Sequence, residues 1–185
     1  MLHFETAKSI VDLLATQGGA SYFGEPVTVL EHSLQAAHFA RLANSSNELI
    51  AAALLHDIGH LLHQEEEDVA EHGVDTHHEE LADALLSKHL PASVVTPIRL
   101  HVAAKRYLCH ADPEYLKALS PSSELSLRLQ GGPMTTEEAQ AFLAGEFSQD
   151  AIALRRWDDE AKIEGLSVAP VESYLPILQQ LWSAS

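Results

Sequence analysis

His56, Asp57 and His60, in Leu54-Leu55-His56-Asp57-Ile58-Gly59-His60, set two imidazoles and a carboxylate close together. These donors suit a borderline divalent or trivalent metal ion. Residues 56 and 60 share a helix face, and Asp57 beside them is placed to bridge outward to a second ion. An isolated His-Asp pair reads more simply as two buried groups hydrogen-bonded to each other. A metal site needs several donors converging from separate elements, each ring oriented by a further partner. The chain supplies them: in order, the candidates are His32, His56, Asp57, His60, His77, His101 and Asp158.

Those residues fall on segments that read as helices. The run Leu49-Ile50-Ala51-Ala52-Ala53-Leu54-Leu55 is apolar all round, as expected of a helix inside a domain, and polar groups at its end must find partners there. Phe4, Ala7, Val11 and Leu14 recur at helical spacing ahead of Gly18-Gly19. His32 lies on a helix from about Val29 to Ala43. The acidic run Glu65-Glu66-Glu67-Asp68 reads as a solvated loop. A helix from near Thr76 to His89 carries His77 and His78, and another from Val94 to Tyr107 carries His101, with Pro97 in its first turn. Pro113 and Pro121 open two short helices, and Thr135 with Glu138 forms a capping box. Asp158 lies on a helix over roughly 149–162, and a last amphipathic helix runs from Pro170 to Trp182. Only Val27-Thr28-Val29 hints at a strand. The expected architecture is a single all-α helical bundle spanning 1–185.

The chain has 185 residues and a formal charge of −16. That charge argues against nucleic acid, which rewards basic surfaces, and against an anionic membrane. An anionic substrate must be met locally, by metal ions or a few placed cations. One cysteine, Cys109, excludes an intramolecular disulfide and reads as packing rather than as a nucleophile. No stretch approaches membrane-spanning length, and no signal peptide is visible, so a cytoplasmic protein is expected. Twelve histidines outnumber the eleven lysines and arginines together.

Longer strings carry a family resemblance: Tyr22-Phe23-Gly24-Glu25, Leu30-Glu31-His32-Ser33-Leu34, His101-Val102-Ala103-Ala104-Lys105-Arg106-Tyr107-Leu108, Gln130-Gly131-Gly132-Pro133-Met134 and Arg155-Arg156-Trp157-Asp158. With His56-Asp57 they resemble the HD-domain superfamily of helical metalloproteins over nearly the whole chain. Most members hydrolyse phosphoesters. The strings resemble a smaller branch, similar to myo-inositol oxygenase, in which a non-haem di-iron centre activates oxygen. Branch members cleave the C–P bond of 1-hydroxy-2-(amino or trimethylammonio)ethylphosphonates, giving glycine or glycine betaine and phosphate.

The resemblance implies two iron ions in a mixed-valent Fe(II)/Fe(III) pair. One is held by His32, His56, Asp57 and Asp158, the other by Asp57, His77 and His101. Residues 77 and 78 are both histidine, and the spacing from Gly73 favours His77. Tyr22 is implied to cap the second iron, and Glu25 to close over the substrate amine. Asp75 stands where an aromatic is expected in the aminoethyl enzymes. For the phosphonate, Lys105 lies one turn beyond His101, His60 one turn beyond His56, Arg155 one turn before Asp158, and Ser123 at a helix start. Two other readings stand beside this one. An HD-type phosphohydrolase, activating water at its metals, shares most ligands. A scaffold on a decayed HD fold has no reason to keep all seven ligand candidates.

Overall fold

The computed structural model describes residues 4–61 and 78–183 of the chain. Among the described residues it is all-α: α1 (Ala7–Gln17), α2 (Val29–Leu42), α3 (Asn47–Leu55), α4 (His78–Leu86), α5 (Ala92–Ala111), α6 (Pro113–Lys117), α7 (Pro121–Leu129), α8 (Thr136–Leu143), α9 (Ser148–Glu160) and α10 (Leu175–Leu181). Short 3-10 turns occupy Ile58–Leu61 and Val171–Tyr174. None of the described helices is long and apolar enough to cross a membrane.

Local chemistry sets the helix starts. Thr28 accepts from the Glu31 amide at 3.1 Å while the Glu31 carboxylate accepts from the Thr28 amide at 2.7 Å. This reciprocal cap satisfies two otherwise orphaned donors of α2. The strand suggested at Val27-Thr28-Val29 is therefore only one isolated bridge, between Thr28 and Ser21. Thr135 and Glu138 cap α8 in the same way, and Asp112 and Ser120 cap α6 and α7 ahead of their N-terminal prolines. Pro97 lies in the second turn of α5, not its first, because the helix begins at Ala92. Its missing N–H leaves the Ser93 carbonyl without the usual helical donor.

The bundle is organised on α3, whose residues Leu49 through Leu55 are all buried. Helices α2 and α5 pack on α3, and α9 packs on both α2 and α5. Leu54 and Leu55 are 0% exposed, and burying each is worth about 1.5–3 kcal/mol. That gain offsets part of the cost of carrying His56 and Asp57 inside behind them. Helices α1 and α10 and the second 3-10 turn pack on one another over the apolar core; His89 stacks on Trp182 at 4.5 Å and Arg41 covers the Tyr174 ring at 3.7 Å.

Candidate metal centre

Six side chains meet where α2, α3, α4, α5 and α9 converge. His32 comes from α2, His56 caps the C-terminus of α3, Asp57 follows it, His78 opens α4, His101 lies on α5 and Asp158 on α9. All six are buried. Gly59 makes the approach of α4 possible, since a Cβ there would sit 2.1 Å from the His78 carbonyl oxygen.

Asp57 is central, and its two oxygens face different pairs of rings. Oδ2 lies 3.5 Å from Nε2 of both His32 and His56. Oδ1 lies 3.4 Å from His78 Nε2 and 3.8 Å from His101 Nε2. Asp158 Oδ1 joins the first pair, at 3.4 Å from His32 and 3.8 Å from His56. The Nδ1 atoms of His32, His56 and His101 face the carbonyls of Ala161, Ala53 and Ile98 at 2.9, 2.9 and 2.7 Å. A carbonyl can only accept, so each Nδ1 carries the proton and each Nε2 turns a lone pair inward.

This donor set fits metal ions. The Nε2 atoms of His32 and His56 are 3.1 Å apart, and those of His78 and His101 are 3.2 Å apart. Two ring nitrogens facing each other at that separation need a proton or a metal ion between them. The inward atoms form two sets about Asp57, His32–His56–Asp57 and Asp57–His78–His101, each gathered within 4.8 Å. Imidazole and carboxylate without thiolate suit iron and similar ions rather than soft ones. The electrostatics agree. Burial pushes the Asp57 carboxyl up, but His56, His32, His60 and His78 outweigh it and hold it well below the usual range. Burial likewise disfavours a charged His56, yet Asp57 and Asp158 lift it to about 9. A metal ion answers the same negative charge in place of that proton. Burial pushes His101 down to about 4, and, aided by His60, holds His78 well below its ordinary value.

The expected substrate residues are placed as follows. Lys105 is 2% exposed and donates to Ser126 Oγ at 2.7 Å; burial lowers it to about 7. His60 stacks on His78 at 3.9 Å, with Nε2 3.9 Å from Asp57 Oδ1. Tyr22, expected as a cap on the second iron, stacks on His32 at 3.8 Å and donates to Asp57 Oδ2 at 2.6 Å. Arg155, expected to fork a phosphonate, spends its donors elsewhere: Nη1 on Asp158 at 2.7 Å, Nε on Tyr115 and Asp159 at 3.2 and 3.1 Å, and Nη2 on Asp159. It orients the Asp158 carboxylate. Ser123 lies in the first turn of α7, with Oγ 3.3 Å from Lys162 Nζ. Asp75 and His77 lie outside the described residues; the imidazole brought to His101 and Asp57 is that of the adjacent His78.

Several partners were not singled out from sequence: Lys162, Ser122, Ser126, Tyr115, Asp159 and Gln35. Lys162 carried one usable signal, its position four residues after Asp158 in a chain with few cations. The hydroxyls carried none, because serine is common in helix first turns for capping alone.

A buried two-part histidine-aspartate centre at the heart of an all-α bundle is the arrangement of HD-type metalloproteins. Residues 29–148 match the HD domain model, and the chain belongs to the HD-domain family. It is 44% identical to a hydroxymethylphosphonate dioxygenase of Gimesia maris over 92% of this chain and 85% of that protein. It is 38% identical to a [1-hydroxy-2-(trimethylamino)ethyl]phosphonate dioxygenase (glycine-betaine-forming) of Leisingera caerulea, over 89% of this chain and 84% of that protein. An uncharacterized protein of Acanthamoeba polyphaga mimivirus is 33% identical over 98% of this chain and 84% of its own length. The resemblance to phosphonate-cleaving oxygenases drawn from the motifs is thus borne out by whole-chain similarity.

Proposed function

We propose that this chain is a di-iron dioxygenase cleaving the C–P bond of a 1-hydroxyphosphonate with O2. The observation that carries this reading is Asp57, one oxygen toward each pair of imidazoles, in a chain similar throughout to two phosphonate dioxygenases. His32, His56, Asp57 and Asp158 would hold one ion, and Asp57, His78 and His101 the other. A mixed-valent Fe(II)/Fe(III) pair so held would supply oxygen activation and a Lewis-acid seat for the substrate's 1-hydroxyl and phosphonate oxygens.

The protein's own groups do the rest. Lys105 brings a buried ammonium one turn from His101, and Ser126 and Ser123 bring hydroxyls, giving a dianion local compensation in a −16 chain. His60 stacks on His78, beside the Asp57–His78–His101 set. Tyr22 pins one oxygen of Asp57. Arg155 fixes Asp158, so that the ligand keeps its orientation without a partner from solvent. The balance is closed: the C1–H and C–P bonds break, one oxygen atom enters the carboxylate and the other the phosphate, and no outside reductant is consumed. A 2-amino or 2-trimethylammonio substrate gives glycine or glycine betaine, and hydroxymethylphosphonate gives formate. The setting is cytoplasmic.

The test is phosphate release from these phosphonates by iron-loaded protein, with and without O2. Release that requires O2, with the matching carboxylate as co-product, is the expected result. Release of phosphate from a phosphoester at an equal rate without O2, and none from phosphonates, would assign the chain to the hydrolytic side of its family.

A further inference from the structure

Lys162 lies just past the end of α9, and its placement is tightly determined. The residue before it, Ala161, accepts from His32 Nδ1 at 2.9 Å. The residue after it, Ile163, is clamped by the Gln35 side chain through both its N–H, at 3.0 Å, and its carbonyl, at 2.8 Å. Gln35 is 2% exposed. The Lys162 backbone is thus anchored to α2 on both sides, beside a candidate metal ligand.

From there Nζ reaches Glu25 Oε1 at 3.3 Å, Ser123 Oγ at 3.3 Å and Ser120 Oγ at 3.4 Å. Glu25 is anchored too. Its N–H donates to the Tyr22 carbonyl at 2.8 Å, closing the turn that stacks Tyr22 on His32. Its carboxylate also accepts from Ser122 Oγ at 2.9 Å. Burial raises the Glu25 carboxyl, but Ser120, Lys162 and Ser122 together hold it below its ordinary value. Glu25 is therefore an ionised carboxylate whose charge is already answered, with both side chains of the pair mostly buried.

We propose that Lys162 is a specificity-determining residue: by engaging Glu25, which closes the turn that sets Tyr22 on His32 and Asp57, it withholds that carboxylate from a cationic substituent on the substrate and favours a small uncharged one. The inference rests on the proposed phosphonate dioxygenase function. A substrate ammonium entering here would have to displace Lys162 or lie against it. Specificity commonly comes from a built-in repulsion of this kind as much as from added attraction. Hydroxymethylphosphonate carries nothing at that position and leaves the pair undisturbed.

The test compares wild type, Lys162→Met, Lys162→Gln and the double variant Glu25→Gln/Lys162→Met. Each is iron-loaded and supplied with hydroxymethylphosphonate or 1-hydroxy-2-(trimethylammonio)ethylphosphonate. Two quantities are read: kcat/KM from phosphate release, and anaerobic binding by calorimetry. In wild type the expected ratio favours hydroxymethylphosphonate. In Lys162→Met it falls by about tenfold in both readouts, between the screened and buried limits for one unit charge. In the double variant, which has neither charge, it returns most of the way. Lys162→Gln, which keeps a donor toward the serines, guards against loss of fold in the methionine variant. A wild type that prefers the trimethylammonio substrate overturns the proposal, as does an active Lys162→Met with the ratio unchanged. Absence of phosphonate turnover and binding in every protein overturns the dioxygenase reading and this inference with it.

Discussion

On one side of Asp57 stand His32 and His56, on the other His78 and His101, and the two pairs differ in what surrounds them. The first pair has a second carboxylate, Asp158, itself held by Arg155. Among the described residues the second pair has only Asp57 facing its Nε2 atoms. The same imidazole is consequently pushed in opposite directions. Burial disfavours the charged ring in both, but Asp57 and Asp158 lift His56 to about 9, whereas His101 sinks to about 4. The lesson is that ligand type alone does not set the character of a metal position; the local carboxylate count does. Two unlike positions sharing one bridge would suit the mixed-valent pair proposed above.

The largest effect expected is from Asp57→Asn, which weakens the bridge to both pairs at once. Metal content, read by elemental analysis, should fall for both ions, and activity should drop below detection. His101→Ala and Asp158→Ala sharpen the comparison, because each should strip one position and leave about one ion per chain, with activity lost in both. A fully loaded, active His101→Ala protein would sink the ligand assignment.

Gly59→Ala should damage the second position selectively. The added Cβ meets the His78 carbonyl at 2.1 Å, so α4 must shift, at a cost of about 1–3 kcal/mol in a denaturant melt. The ion held by His32, His56 and Asp158 should survive. Equal loss of both ions would show that the two positions are not separately supported. The smallest effect on metal binding belongs to Lys105→Met, which should keep both ions and weaken phosphonate binding by roughly ten- to a hundredfold, the range for losing one charge-assisted hydrogen bond. It should also raise the Tm. The buried ammonium titrates near 7 in the folded state against an ordinary 10.5. Its penalty is therefore full below about pH 7 and disappears as pH rises through the unfolded value. The stabilisation should be greatest at pH 6 and fade towards pH 10. A gain that grows with pH would contradict the burial of a charged Lys105.

Much of the fold could be read from the chain because its signals are local. Apolar periodicity, prolines at helix starts and the Thr135–Glu138 cap all act within one turn. Apolar neighbours and ligand chemistry singled out His32, His56, Asp57, His101 and Asp158 among seven candidates, and the family resemblance supplied their grouping. What escaped depends on direction. Spacing from Gly73 says nothing of direction, and what brings His78 to the cluster is how α4 docks against Gly59, a long-range contact. Arg155 read as a free fork because nothing local reveals that Asp159 and Tyr115 claim its remaining donors. Lys162 lies beyond the last turn of α9, where helical spacing no longer says which way a side chain faces. The contact of Tyr22 with Asp57 depends on the turn that stacks it on His32, closed by hydrogen bonds with Glu25 and Val27.

His56 and His101 both rest on carbonyls three residues back, Ala53 and Ile98, while His32 rests on Ala161, 129 residues away in the chain. The first two restraints can form as soon as their own helices do. The third waits for the end of α9 to dock on α2, and contacts of such sequence separation form slowly because the intervening loop must close first. During folding, then, His56 and His101 are aimed early, and His32 is the gate. An early chain offers scattered single donors rather than a chelating pocket, and tight capture of an ion marks the moment the two ends of the molecule have found each other.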